Sequence, residues 1–376
     1  MIKIKLWIRQ YGKMLLQYGV LPFVYQIEKR KNIKQRFVVL ADSHQEKMPE
    51  SMLLFSQELK KRGYYVKTFF FRERGIKGIG KMISFMRVYA QAEYVILCDY
   101  FLPVASCRKR KETTVIQLWH ACGLLKKCGY STTDDIPAVY HGNLFRNYDL
   151  VTVSGESCRE KMAEAMRLPK EKVQALGVSR TDIFWKEGYQ KSCRRKFFSL
   201  YPEAVGKKIV LWAPTFRGRA FQPYVVGETI IQEVEEQLKE NYYFISHFHP
   251  HIKQKKKEQQ KIMELLPAVD CLITDYSSVF YEFLLFKKPV IFFVPDYETY
   301  QETRGFYIDL RTLPARWAQR KEELLLAITQ PYSIEEQLAQ RDCCKTYLSA
   351  CDGHATERIL DWMELVKVQK KGRSER

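Results

Sequence analysis

The chain has 376 residues, 46% of them hydrophobic, and a formal net charge of +19. That length holds two domains with separate cores, and that apolar content excludes an intrinsically disordered chain. The charge excess favours an anionic partner: nucleic acid, an acidic membrane surface or a phosphate-rich substrate.

The ten cysteines are scattered without a Cys-x-x-Cys pair, which argues against a zinc ribbon. No stretch reads as a secretory signal with a cleavage site, so a reducing, cytosolic compartment is expected. Apolar runs such as Val290–Val294 are too short to span a bilayer.

In chain order, residues 1–34 predict a basic amphipathic helix. Ile2, Ile4, Leu6, Trp7, Ile8, Tyr11, Met14, Leu15 and Tyr18 supply apolar bulk among Lys3, Lys5, Arg9 and Lys13, and no acidic residue precedes Glu28. Such a helix lies in the plane of an anionic membrane, or packs on a core with its lysines snorkelling. Strands are then expected at 36–42, 65–70, 94–98, 114–119 and 150–154, with helices at about 50–62 and 81–91 between them. This β-α alternation predicts a mostly parallel sheet wound on both faces. The basic stretch 186–208, with Gly188, Pro202 and Gly206, marks the connection between domains. A second set of strands follows at 208–213, 242–246, 271–274 and 289–293. Its helices are expected near 227–240, 255–266, 279–286, 321–329 and 334–348, with a last one at 356–366. The expected division is a 1–34 membrane-associating helix, a 35–195 α/β domain, a 205–350 α/β domain, and a 351–376 closing helix and charged tail. Two doubly wound, Rossmann-like α/β domains facing a cleft make the GT-B-like architecture.

The chemistry is expected at strand ends. Leu272 and Ile273 lead into Thr274-Asp275-Tyr276-Ser277-Ser278 and then a helix carrying Glu282. Asp275, Ser277 and Ser278 are capping types, and backbone N–H groups at a helix start bind phosphate. The alternative is an ordinary capped turn. His120 follows the 114–119 strand and suits a general base by its near-neutral titration; a satisfied loop histidine is the other reading. His249 ends the 242–246 strand within a cluster, His247, His249 and His251. Pro250 interrupts the alternation that would aim the three together, and no acidic or cysteine group completes a metal site. A histidine that bonds a phosphate oxygen is the better reading there. Arg217, in Ala213-Pro214-Thr215-Phe216-Arg217, and Arg304, in Arg304-Gly305-Phe306-Tyr307, carry the planar fork that neutralises phosphate. No cofactor is expected, and the sequence neither requires nor excludes a divalent metal.

Taken in order, Trp119-His120-Ala121-Cys122-Gly123-Leu124-Leu125-Lys126, Ala213–Arg217, His249-Pro250, Thr274–Ser278 and Arg304–Tyr307 resemble the boxes of the bacterial CDP-glycerol glycerophosphotransferases. The resemblance covers about 36–348, and its length is similar to the short teichoic-acid primase branch. Ala121-Cys122 stand where the family has Gly-Thr, and Gly123-Leu124 displace its proline. The resemblance implies transfer of glycerol phosphate from CDP-glycerol to a hydroxyl of a polyprenyl-diphosphate-linked acceptor in teichoic acid or capsule synthesis, releasing CMP. It assigns His120 and His249 as catalytic, and Arg217, Thr274, Asp275, Ser277, Ser278, Glu282 and Arg304 to the CDP and phosphate groups. It also implies a peripheral place on the cytoplasmic face of the plasma membrane. CDP-ribitol transfer and a GT-B nucleotide-sugar glycosyltransferase are the enzymatic alternatives. A basic nucleic-acid- or membrane-binding protein without catalysis is a more distant one. No helix-turn-helix, RNP or zinc-finger signature supports nucleic acid as a partner.

Overall fold

The computed structural model describes residues 12, 14–72, 75–136, 140, 142–219, 222–248, 252, 260–303 and 305–374. The chain divides into two compact units. The first comprises 1–120, 136–182 and 350–376, and the second 121–135 and 183–349. The change of unit therefore falls between Asp182 and Ile183, ahead of the basic 186–208 stretch expected to mark it. Composition pointed to that stretch, but the helix Tyr189–Leu200 within it packs on the second unit. Two further segments cross between the units: 121–135 joins the second with no sequence signal, and 350–376, which nearly coincides with the expected 351–376 closing helix and tail, returns to the first.

The first unit is built on a six-stranded parallel sheet in the order β2-β1-β3-β4-β5-β6. Its strands are β1 (Lys34–Asp42), β2 (Tyr65–Phe70), β3 (Ala92–Leu97), β4 (Thr114–Gln117), β5 (Leu150–Thr152) and β6 (Val173–Gln174). The apolar run Phe37–Ala41 is fully covered, as expected for a strand with helices on both faces. One core layer packs Val38 and Leu40 against Met52, Phe55 and Leu59 of the helix Glu50–Lys61, and against Ile359, Leu360 and Met363 of the closing helix Ala355–Ser374. Asp182 fixes where that closing helix begins. Its carboxylate accepts from Ala355 N at 3.1 Å and Thr356 N at 2.7 Å, satisfying two N–H groups that the first helical turn leaves unpaired.

The second unit holds a five-stranded parallel sheet in the order β10-β7-β11-β12-β13. Here β7 is Lys208–Ala213, β10 Tyr242–Ser246, β11 Cys271–Thr274, β12 Val290–Phe293 and β13 Arg316–Ala318. A short antiparallel ribbon, β8 (Arg217–Arg219) with β9 (Gln222–Tyr224), follows β7. Val210, Trp212, Ile273, Ile291 and Phe293 pack under the helices Glu228–Leu238 and Lys321–Thr329 through Ile231, Val234, Leu324 and Ile328. Both sheets reverse strand order beside their first strand, between β1 and β3 and between β7 and β11. In open α/β sheets, ligands collect at the carboxyl ends of the strands flanking that reversal.

Residues 1–11 and 13 of the expected N-terminal helix lie outside the described residues. From Met14 the chain is helical, with a π-helical turn Leu16–Val20 leading into Leu21–Glu28. Gln17, Leu21 and Tyr25 form its buried face. Tyr25 stacks obliquely on Tyr89 at 5.0 Å, and its hydroxyl accepts from Arg110 N at 2.9 Å. Met14, Leu15, Tyr18, Phe23 and Ile27 remain exposed. Within the expected 255–266 helix, 255–259 lie outside the described residues, and a single turn, Ile262–Leu265, is seen. No described helix is long and apolar enough to cross a membrane.

Candidate functional site

In the first unit, three strand ends meet around Asp99. β1 ends in Asp42, whose buried Oδ1 accepts from His44 N at 2.7 Å and Gln45 N at 3.0 Å, turning the chain at once. β3 runs into Cys98 and Asp99. The Cys98 thiol sits 3.4 Å from Asp42 Oδ2, and burial followed by the Asp42 charge pushes it well above the usual thiol range. It is therefore held as an unreactive thiol. Gln117, at the end of β4, is fully buried. Its amide donates to Asp99 O at 3.0 Å, and its Oε1 accepts from Trp119 N at 3.1 Å. Trp119 takes a left-handed backbone conformation, φ 58, which a bulky residue adopts only under constraint. That bend delivers His120.

His120 Nδ1 is 2.9 Å from the carbonyl oxygen of Cys98. A carbonyl only accepts, so Nδ1 carries the proton and the neutral ring presents Nε2 as a lone pair. The side chain is 44% exposed, and Asp99 Oδ2 lies 3.8 Å from Nδ1. The indole of Trp119 flanks the imidazole, centroids 4.6 Å apart. A ring held by its Nδ1 in this way has its tautomer fixed and its Nε2 lone pair left for proton transfer.

In the second unit, the loops after β7 and β11 are tied to each other. Thr274 Oγ1 donates to Ala213 O at 2.7 Å. Asp275 Oδ1 accepts from Thr215 N and Thr215 Oγ1 at 2.8 and 2.7 Å, and from Tyr276 N at 2.6 Å. Asp275 Oδ2 meets Arg217 Nη2 at 3.0 Å. Arg217 also donates from Nη1 to Thr215 O at 2.7 Å, and its guanidinium lies against the rings of Tyr276 and Tyr300 at 4.8 and 4.7 Å. A second carboxylate, Asp296, completes the clamp. Burial works against the Arg217 charge, and the two carboxylates more than offset it, so its pKa rises. Arg217 thus faces carboxylates and rings, a different setting from the phosphate-facing side chain expected. Its described contacts build the loop.

Ser277 and Ser278 are half-buried at the start of the helix Val279–Leu284. Ser277 Oγ accepts from Val279 N at 3.4 Å, and Ser278 makes no side-chain cap bond. Six residues give little aligned dipole, so any anion held here depends on local N–H and hydroxyl groups. Glu282 is 1% exposed, a buried carboxyl rather than a solvated residue of its helix. His249 and Arg304 lie outside the described residues. His247 is described: burial lowers its imidazole below the usual range. Among the described residues no cluster of three or more His, Cys, Asp or Glu is placed to hold a metal ion.

Sequence reasoning missed Asp99, Gln117, Asp296 and Tyr300. Asp99 and Asp296 share one signal, a carboxylate within a few residues of an apolar strand's end. It also missed that two boxes pair. Lys126 bridges Phe306, and Tyr307 N donates to Leu125 O at 2.8 Å. Gly123 has φ +64, and a Cβ there would sit 2.3 Å from the Tyr281 ring, so the displaced glycine is required where it stands.

Two doubly wound α/β units with strand-end loops of this kind define a GT-B-like transferase fold. The chain belongs to the CDP-glycerol:poly(glycerophosphate) glycerophosphotransferase family, whose profile matches residues 20–365. It is 30% identical over 369 residues to the teichoic acid poly(ribitol-phosphate) polymerase of Bacillus spizizenii, covering 92% of this chain and 59% of that protein. It is 28% identical over 356 residues to the teichoic acid ribitol-phosphate primase of the same organism, covering 87% and 90%. With the teichoic acid glycerol-phosphate primase of Bacillus subtilis it shares 30% over 302 residues, 75% of this chain and 76% of that one. The chain therefore spans somewhat more than half of the polymerase and most of each primase. The fold is similar to that of the wall teichoic acid polymerase TagF, with TM-score 0.74 at 17% identity over 96% of this chain and 97% of that one.

Proposed function

We propose that this chain transfers an alditol phosphate, glycerol phosphate in the first instance, from its CDP ester to a hydroxyl of a lipid-linked glycan acceptor. The observation that carries the proposal is the His120 Nδ1 contact with the Cys98 carbonyl, which leaves Nε2 able to take a proton. The acceptor oxygen attacks the β-phosphorus, its proton passes to His120 Nε2, and the bond from that phosphorus to the CMP oxygen breaks. CMP leaves with the electron pair, and a phosphodiester forms. Phosphoryl transfer of this kind depends mainly on positioning and charge stabilisation.

His249 and Arg304 are proposed to stabilise the phosphates. Ser277 and Ser278 are proposed to hold the diphosphate, and Glu282 to accept from the ribose. Arg217, Thr274 and Asp275 act by shaping the loop that presents them. CDP-ribitol is the second donor reading, supported by the ribitol-phosphate names of two relatives. Mass spectrometry of the product formed from CDP-glycerol or CDP-ribitol and a lipid-linked disaccharide tests both. No product with either donor would overturn the proposal.

The acceptor's polyprenyl tail places the reaction at a membrane surface. We place the docking face on residues 14–31. Leu15 and Phe23 are 69% and 66% exposed, and Arg30 and Lys31, just past the end of the same helical stretch, are also exposed, with Lys31 paired to Glu28. Exposed apolar groups with flanking cations match an anionic bilayer surface.

A further inference from the structure

Asp99 stands at the strand-order reversal of the first sheet, two residues past β3, with the His44 turn on one side and His120 on the other. Its Oδ1 accepts from Tyr100 N at 2.7 Å, and its carbonyl accepts from Gln117, so the carboxylate is aimed by backbone it does not control. Oδ2 is left facing two imidazoles: His44 Nδ1 at 3.7 Å and His120 Nδ1 at 3.8 Å. Neither distance is a hydrogen bond. Both are short enough for a carboxylate to stabilise a neighbouring positive ring. We propose that Asp99 is a positioning residue shared by two histidines, holding the imidazolium that His120 becomes on deprotonating the acceptor, with His44 drawing on the same oxygen.

The surrounding charges are few. Asp42 lies behind Cys98, the Tyr148 hydroxyl bonds Gln117, and Arg180 acts on the Cys98 thiol. Asp42 is already engaged by His44 N and Gln45 N. Asp99 is thus the carboxylate whose ion-pair oxygen meets the His120 ring. This assignment rests on His120 as the base of the proposed transfer.

Two measurements on the full chain separate its failure from that of the transferase reading. The first follows the ring protons of His120 by NMR across pH. Removing the anion disfavours the charged ring, so Asp99→Asn moves the His120 midpoint down. His44→Gln removes the competing ring and moves it up. A structural disturbance would not move the midpoint in opposite directions. The second is steady-state transfer. Asp99→Asn lowers kcat about 100-fold with KM for the donor within about twofold, and Asp99→Glu restores part of the loss. An unmoved midpoint in Asp99→Asn overturns the proposal, as does a kcat within about threefold of wild type. If the wild-type chain transfers nothing but the midpoints move as stated, the transferase reading fails, and what stands is the electrostatic coupling of Asp99 to the two rings without its role in transfer.

Discussion

Asp296 grips Arg217 side-on, with Nε 2.7 Å from Oδ2 and Nη2 3.0 Å from Oδ1. The Tyr276 hydroxyl donates to the same Oδ1 at 3.0 Å. The arginine is 9% exposed, so its charge is compensated inside the protein. Breaking such a pair from one side leaves the other charge buried, at a cost of about 3–5 kcal/mol. Arg217→Met is expected to lower the thermal midpoint by several degrees and to weaken CDP-glycerol binding as the loop loosens. Calorimetric unfolding together with titration calorimetry checks both; a midpoint equal to wild type would remove the clamp from the stability of this unit.

The same pair sets a pH dependence. Burial alone would raise the Asp296 carboxyl, but bonding to Arg217 and its charge win and hold it below the usual carboxylate range. A depressed carboxylate contributes stability above its unfolded value, near 4, and loses it as pH falls through the folded value. Asp296→Asn should therefore narrow the gap to wild type as pH drops below about 4, measured as thermal midpoint against pH. A gap that stays constant through that range would contradict it.

His120→Ala should lower transfer by about three orders of magnitude or more while leaving donor affinity within about twofold, since the ring acts on the acceptor's proton. Single-turnover assays and calorimetry read the two effects apart. Transfer that persists in this variant removes His120 from the chemistry.

At Gly123, alanine would meet both a left-handed backbone, φ +64, and the Tyr281 ring. The expected loss is about 2 kcal/mol or more. It is read as a lower denaturant midpoint, and partial recovery in Gly123→Ala with Tyr281→Leu would locate the clash at that ring.

Leu15→Ser with Phe23→Ser should reduce binding to anionic vesicles by about tenfold or more, from the apolar area withdrawn, without changing the fold. Sedimentation with vesicles of rising anionic content measures this. Undiminished binding would move the docking face elsewhere.

The strands and the long helices were legible because apolar runs and their spacing carry them. Tyr65–Phe70 and Lys321–Thr329 fall where the pattern put them. Val173–Gln174 and Arg316–Ala318 were not legible: two or three residues hold no period, and Arg316 enters its strand only because Glu336 and three carbonyl oxygens satisfy its guanidinium. In the site, residue types pointed to His120 and the Thr274–Ser278 turn. The tautomer of His120 was hidden, because it depends on a carbonyl twenty-two positions away in sequence. The setting of Arg217 was hidden for the same reason: its carboxylates lie 58 and 79 positions further on.

Eight of the ten cysteines are buried, and only Cys128 and Cys344 are partly open to solvent. Burial pushes Cys107 and Cys271 up to about 12 and Cys158 up to about 11, leaving them almost wholly protonated at neutral pH. A maleimide probe should react first at Cys128 and Cys344. The natural sequence thereby carries two labelling handles within one unit, one of them on the segment joined to Phe306 and Tyr307, ready for fluorescence work without engineered thiols.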